Sequence, residues 1–194
     1  MVFGFLKSIA RRAFGHDPRQ VAAVDLYTEI VEQARSPVLY EEYGVPDTVD
    51  GRYDLLTLHM VLVLRRLKRE GEGRRGFSQQ LFYVMFRNMD DSLREMGVGD
   101  LKVGKKVREL AEAFYGRLGA YETAFEKDGD AALRSALGRN IYGQEDAPEA
   151  ARLAAYARAA DTALAGQPAA TLTAGRVAFP DPADIPQELR HDPA

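Results

Sequence analysis

From Leu55 to Leu64 the chain is apolar on every side of a helix, interrupted only by Thr57 and His59. A helix that is hydrophobic all round has no face to give to water, so other elements must enclose it. This run lies within a helix predicted over 51–69 and is the central element around which the rest of the chain must fold. It is about half the ~20 residues that a membrane span needs. Enclosure by protein is therefore the reading its length supports.

The enclosing elements read as helices too. No alternating run bounded by hairpin turns occurs, whereas apolar residues recur at helical spacing throughout. Helices are predicted over 2–14, 19–35, 79–96, 101–127, 130–142 and 147–165. The stripe of 19–35 is Val24, Tyr27, Ile30, Val31 and Ala34. That of 79–96 is Leu81, Phe82, Met85, Phe86, Met89, Leu93 and Met96, and that of 101–127 runs from Val103 to Phe125. Pro37 ends the helix before it, because its ring nitrogen cannot donate the helical bond. Residues 36–50 read as a connector in which Asp50 caps the central helix. Gly71, Gly73 and Gly76 read as a loop, with Ser78 capping the next helix. Gly97 and Gly99 end that helix.

Beyond Gly166 the chain collects Pro168, Pro180, Pro182, Pro186 and Pro193, which reads as an extended, partly disordered tail. The expected fold is all-α, a single-domain bundle of about six or seven helices. Its parts are a basic amphipathic helix over 1–15, a helical body over 16–166 and the tail over 167–194.

Catalytic chemistry has little to stand on. The chain has no cysteine, which excludes disulfides, thiolate catalysis and Fe–S clusters. His16, His59 and His191 are not at metal-ligand spacing, and His59 reads as a satisfied core histidine. The segment Gly99-Asp-Leu-Lys-Val-Gly104-Lys105-Lys106 has the outline of a phosphate loop, but Lys106 stands where a hydroxyl must hold magnesium. Asp90, Asp91 and Glu95 offer oxygen ligands of the kind magnesium takes. Arg87 and Arg94 nearby make a salt-bridged helix face the simpler reading. No cofactor and no metal ion are expected.

Two features suit adhesion. The methionine and phenylalanine side chains of 81–96 fit either a core or an adaptable surface for an apolar partner. The segment 2–14 carries Lys7, Arg11 and Arg12 on an amphipathic pattern with three phenylalanines. Such a helix suits the lipid interface, and equally a groove on a protein. Formal net charge is −3, so nothing points to specific DNA binding. No apolar h-region with a cleavage site is present, so export is not expected.

Two blocks carry a resemblance. The first is Gly44-Val-Pro-Asp-Thr-Val-Asp-Gly-Arg-Tyr-Asp-Leu-Leu-Thr-Leu-His59 with Arg65-Arg66 beyond it. The second runs from Leu81-Phe through Met89-Asp90-Asp91 to Leu93-Arg-Glu-Met-Gly-Val-Gly-Asp-Leu-Lys-Val-Gly-Lys-Lys106, and Ala113-Phe-Tyr-Gly-Arg117 adds a third piece. Over residues 37–142 the chain resembles the ubiquinol–cytochrome c chaperone family in a compact, bacterial form.

The resemblance implies a non-enzymatic assembly chaperone for the cytochrome bc1 complex. It implies cytochrome b or a related membrane protein as client, in some members together with a small partner protein. It also implies a peripheral place on the cytoplasmic face of the inner membrane, or the matrix side in a mitochondrion. Basic segments at 65–75 and 102–108 suit anionic lipid or ribosomal RNA, so an anionic membrane surface and the ribosome are further expected contacts. The candidate partner residues are Gly44, Val45, Pro46, Asp47, Asp50, Gly51, Arg65, Arg66, Asp90, Arg94, Gly99, Lys105 and Lys106. The candidate membrane residues are Phe3, Phe5, Leu6, Lys7, Ile9, Arg11, Arg12 and Phe14. A lipid- or isoprenoid-binding bundle, or a magnesium enzyme using Asp90, Asp91 and Glu95, is the alternative.

Overall fold

The computed structural model describes residues 17–71 and 75–187. Every regular element among them is helical: α1 (Pro18–Ala34), α2 (Pro37–Glu41), α3 (Val49–Lys68), α4 (Arg75–Glu95), α5 (Asp100–Phe125), α6 (Ala131–Leu137), α7 (Ala150–Ala165) and α8 (Ala169–Thr173). A π-helical turn, Gly138–Tyr142, continues α6, and a 3₁₀ turn spans Pro182–Asp184. The amphipathic segment expected over 2–14 lies outside the described residues.

Two expected caps are corrected. Thr48, not Asp50, caps α3, its hydroxyl oxygen accepting the Gly51 N–H at 3.1 Å. Asp50 stands in the first turn, where a negative charge suits the helix dipole. Helix α4 begins at Arg75, ahead of Ser78, so Gly76 is helical rather than part of the loop. The connector at 36–50 also contains α2, started by Pro37 in its first turn. Proline both ends α1 and opens α2, because its fixed φ suits a first helical position.

The chain divides into two compact units. Among the described residues, one holds 17–29, Leu67–Gly116 and Pro168–Val177; the other holds Ile30–Arg66, Arg117–Gln167 and 178–187. In the first unit α4 buries Phe77, Leu81, Val84, Met85 and Met89 as one stripe. Gly175, at φ +85, passes so close to α1 that a Cβ would lie 2.9 Å from the Ala22 carbonyl oxygen. Arg176 pairs with Glu29 at 3.1 Å.

The second unit contains the apolar run, and every residue of 55–64 except Leu56 is buried. Helix α6 packs on α7, and α2 on the 3₁₀ turn. His59 is fully buried and fully bonded: Nδ1–H donates to the Leu55 carbonyl at 2.7 Å, and Nε2 accepts from the Tyr156 hydroxyl at 2.8 Å. Gln33 then donates to the Tyr156 oxygen at 2.9 Å. This chain of bonds assigns the neutral tautomer.

The described part of the segment expected as an extended, partly disordered tail contains α8 and the 3₁₀ turn. Beyond Ala178, side chains from the rest of the second unit take several of its carbonyls. Gln33 donates to the Pro180 oxygen at 3.3 Å, the Tyr43 hydroxyl to that of Pro182 at 2.7 Å, and Arg152 Nε to that of Ile185 at 3.1 Å. The Gln167 amide bonds Ala178 both ways, at 2.7 and 2.9 Å. Phe179 meets His59 edge-on, with centroids 5.2 Å apart.

Two buried groups in this unit oppose each other in acid. Burial lowers His59 to about 4. Burial also raises Asp54 to about 6, against the pull of Arg117, which it pairs with at 2.7 Å. The unfolded chain protonates His59 first, so that contribution is whole above the ordinary histidine value and is lost as pH falls toward 4. The folded chain protonates Asp54 first, so its contribution grows as pH falls through 6 toward the ordinary aspartate value. In urea titrations between pH 7 and 4, D54N is expected to lose stability more steeply than the native chain, by on the order of 2 kcal/mol across the window. H59Q is expected to lose it less steeply. Parallel curves for all three chains would refute both assignments.

Candidate partner-binding surface

The surface is built on α4 and the first part of α5, within the first unit. The buried stripe of α4 leaves Phe82 and Phe86 about 100° further round the helix, where both are half-buried. On α5, Phe114 is fully buried and the adjoining Tyr115 is 57% exposed. The rings interlock. Phe82 and Phe86 lie nearly parallel with centroids 6.5 Å apart, and Phe82 stacks on Tyr115 at 6.0 Å. Phe114 meets Phe82 edge-on at 5.2 Å and Phe86 at 6.2 Å, and so serves as the buried floor. Tyr83, 54% exposed, stands beside them on α4.

The result is a shelf of aromatic faces held from below. Aromatic side chains anchored in this way dominate binding energies at protein interfaces, because they bury large area at little entropic cost. Sequence reasoning placed Phe82 and Phe86 in a single stripe with Leu81 and Met85. The structure separates a core face from a half-buried one, and it adds the exposed Tyr83 and Tyr115. The Phe114-Tyr115 pair carried the signal: adjacent residues lie about 100° apart on a helix, so a stripe centred on Phe114 leaves Tyr115 at its edge.

The predicted site residues fall into separate groups. Asp90 and Arg94 pair at 2.6 Å, and Arg94 also holds Asp100, joining the end of α4 to the start of α5. Gly99 precedes α5, and Lys105 reaches Glu109 at 3.7 Å. Asp90, Asp91 and Glu95 do not converge: no group of three or more acidic or histidine side chains among the described residues is placed to hold a metal ion.

The Gly44–Gly51 segment lies in the other unit. Gly44, Pro46, Asp47 and Asp50 are exposed, while Val45 and Gly51 are buried. Asp47 pairs with Arg52 at 2.6 Å, which holds its carboxyl below the usual range. Arg65 pairs with Asp161 at 3.3 Å and lies over the Phe125 ring. Arg66 donates twice to the Gln167 carbonyl, at 2.8 and 3.1 Å. These two arginines brace their own unit. Phe3, Phe5, Leu6, Lys7, Ile9, Arg11, Arg12 and Phe14 lie outside the described residues.

No helix among the described residues is long and apolar enough to cross a membrane. A family model described as ubiquinol-cytochrome C chaperone matches residues 41–179. The crystal structure of the Cbp3 homolog from Brucella abortus matches with a TM-score of 0.78 and 33% identity, covering 96% of this chain and 100% of that one. Ubiquinol-cytochrome-c reductase complex assembly factor 1 of Xenopus laevis is 26% identical over 126 residues, 65% of this chain and 62% of that protein. The Mus musculus protein of the same name is 26% identical over 141 residues, 72% of this chain and 48% of that protein. The chain thus matches only part of the length of these curated relatives.

Proposed function

The chain belongs to the ubiquinol–cytochrome c chaperone family, and from that premise we propose that it is a non-enzymatic assembly factor for the ubiquinol–cytochrome c reductase (bc1) complex. Its client on this reading is cytochrome b or a related membrane subunit, met at the cytoplasmic surface of the inner membrane. The observation that carries the reading is the aromatic shelf of Phe82, Tyr83, Phe86 and Tyr115. A subunit awaiting its partners exposes apolar segments, and a shelf of supported rings offers such a segment area without demanding one sequence. The exposed part of the Gly44–Gly51 segment serves as a second contact.

The test uses a deletion strain. Assembled bc1 complex is expected to fall on deletion and to return with the native chain. The triple variant F82S/F86S/Y115S, checked for retained helicity, is expected to restore at most about a tenth of it, since anchors of this kind are worth about 2 kcal/mol each. Unchanged complex in the deletion strain would overturn the assignment. Full rescue by the triple variant would place the client elsewhere on the chain.

A further inference from the structure

The corner between α4 and α5 carries the most exposed large apolar side chain among the described residues. Leu101 is 99% exposed, and Met96, on the other side of the Gly97 turn, is 57% exposed. Leu101, Lys105 and Arg108 share one face of α5 by their spacing, with Lys102 and Lys106 alongside. Residues 94–108 hold five cationic side chains against the acidic Glu95 and Asp100, in a chain whose formal net charge is −3. Asp100 is taken by Arg94. Glu109 and Glu112 lie further along α5, and Glu109 is met by Lys105. The side chains of Lys102, Lys106 and Arg108 are exposed and have no ion-pair or hydrogen-bond partner among the described residues.

We propose that this corner docks the chain on an anionic lipid bilayer. Leu101 and Met96 enter the headgroup layer, while Lys102, Lys105, Lys106 and Arg108 meet lipid phosphates. The proposal deepens the membrane-surface part of the proposed function and rests on it. Charge complementarity selects an anionic partner, and the bare leucine among the cations selects a bilayer. A nucleic acid offers phosphates but no apolar layer for Leu101, whereas a lipid interface offers both at adjoining depths. The corner is also well held, because the Arg94 bridge to Asp90 and Asp100 joins the two helices there.

The test is sedimentation of the purified whole chain with phosphatidylcholine vesicles, with and without phosphatidylglycerol. Binding is expected only to the anionic vesicles and is expected to weaken as salt rises. The exposed-site variant K102Q/K106Q/R108Q is expected to bind about a hundredfold more weakly, at about fivefold per charge. L101S keeps every charge and is expected to lose about tenfold. Native-like helicity and melting temperature are checked for each variant.

Unchanged binding by both variants would overturn the proposal, as would equal binding to neutral vesicles. Loss of single-stranded RNA binding by the lysine variant, with L101S unaffected throughout, would overturn it in favour of a nucleic acid. No client is present in this assay. Its failure therefore leaves the assembly role standing, and failure of the assembly test leaves the lipid surface standing.

Discussion

R152M is expected to destabilise the second unit by about 3–4 kcal/mol. The Arg152 side chain is 1% exposed, and every part of its guanidinium is engaged. Nη2 pairs with Glu42 Oε2 at 3.1 Å, Nε donates to the Ile185 carbonyl at 3.1 Å, and the group lies 4.2 Å over the Tyr43 ring. Methionine nearly fills the volume but donates nothing. The Ile185 carbonyl then loses its partner, and the cation–π contact with Tyr43 is lost as well. Glu42 is 37% exposed and also receives Gln187 at 2.9 Å, so its carboxylate regains water at modest cost. R152K retains the charge and loses the fork of donors, and about half the effect is expected. Urea denaturation monitored by helicity measures both. A loss under 1 kcal/mol for R152M would show that its bonds to Ile185 and Glu42 do not hold this part of the unit together.

G51A is the second large effect, and its sign is the informative part. In an exposed helix, alanine for glycine gains about 1 kcal/mol. Here a Cβ on residue 51 would lie 2.0 Å from the Pro46 carbonyl oxygen and 3.1 Å from its carbon. The obstacle is backbone, so the 44–51 segment must move and carry the Thr48 cap with it. A net loss of about 2–4 kcal/mol is expected from overpacking together with the lost cap. G116A is the control. It is also helical, meets nothing within 4 Å, and is expected to be neutral or to gain up to about 1 kcal/mol. If both variants fall on the same side, the close approach of Pro46 does not govern this corner.

Much of the helix layout is legible in the sequence, for a physical reason. The α3 run is so uniformly apolar that only burial suits it, and its neighbours show stripes wide enough to give a period. The long helices consequently fall within a few residues of their expected ends, α4 excepted. What is not legible depends on contacts between residues distant in sequence. Nothing near Pro180 or Pro182 announces that Gln33 and Tyr43 will take their carbonyls, so the segment reads as unsupported chain. Arg65 and Arg66 read as a surface patch because they are charged. They come directly after a run that is enclosed, and enclosure turns them inward onto Asp161 and the Gln167 carbonyl.

The candidate site shows the same division. Periodicity identifies Phe82, Phe86 and Phe114 as apolar positions but does not fix how wide the buried stripe is. A rotation of one residue separates Leu81, which is fully buried, from Phe82, which is not. The Asp90–Arg94 pair is legible, because helix spacing alone brings an acid and a base four residues apart together.

The ordered strap near the C-terminal end has a consequence for how the molecule is made. Gln33, Tyr43 and Arg152 each keep a donor for a carbonyl that lies between Pro180 and Ile185. During translation Gln33 and Tyr43 emerge long before those acceptors, and nothing the ribosome has yet released can satisfy them in the same way. The second unit therefore completes its polar core only after the 180–185 segment has been released. A nascent chain halted before Pro180 has its apolar helices but leaves the Tyr43 hydroxyl and the Arg152 Nε without the acceptors they take in the finished fold.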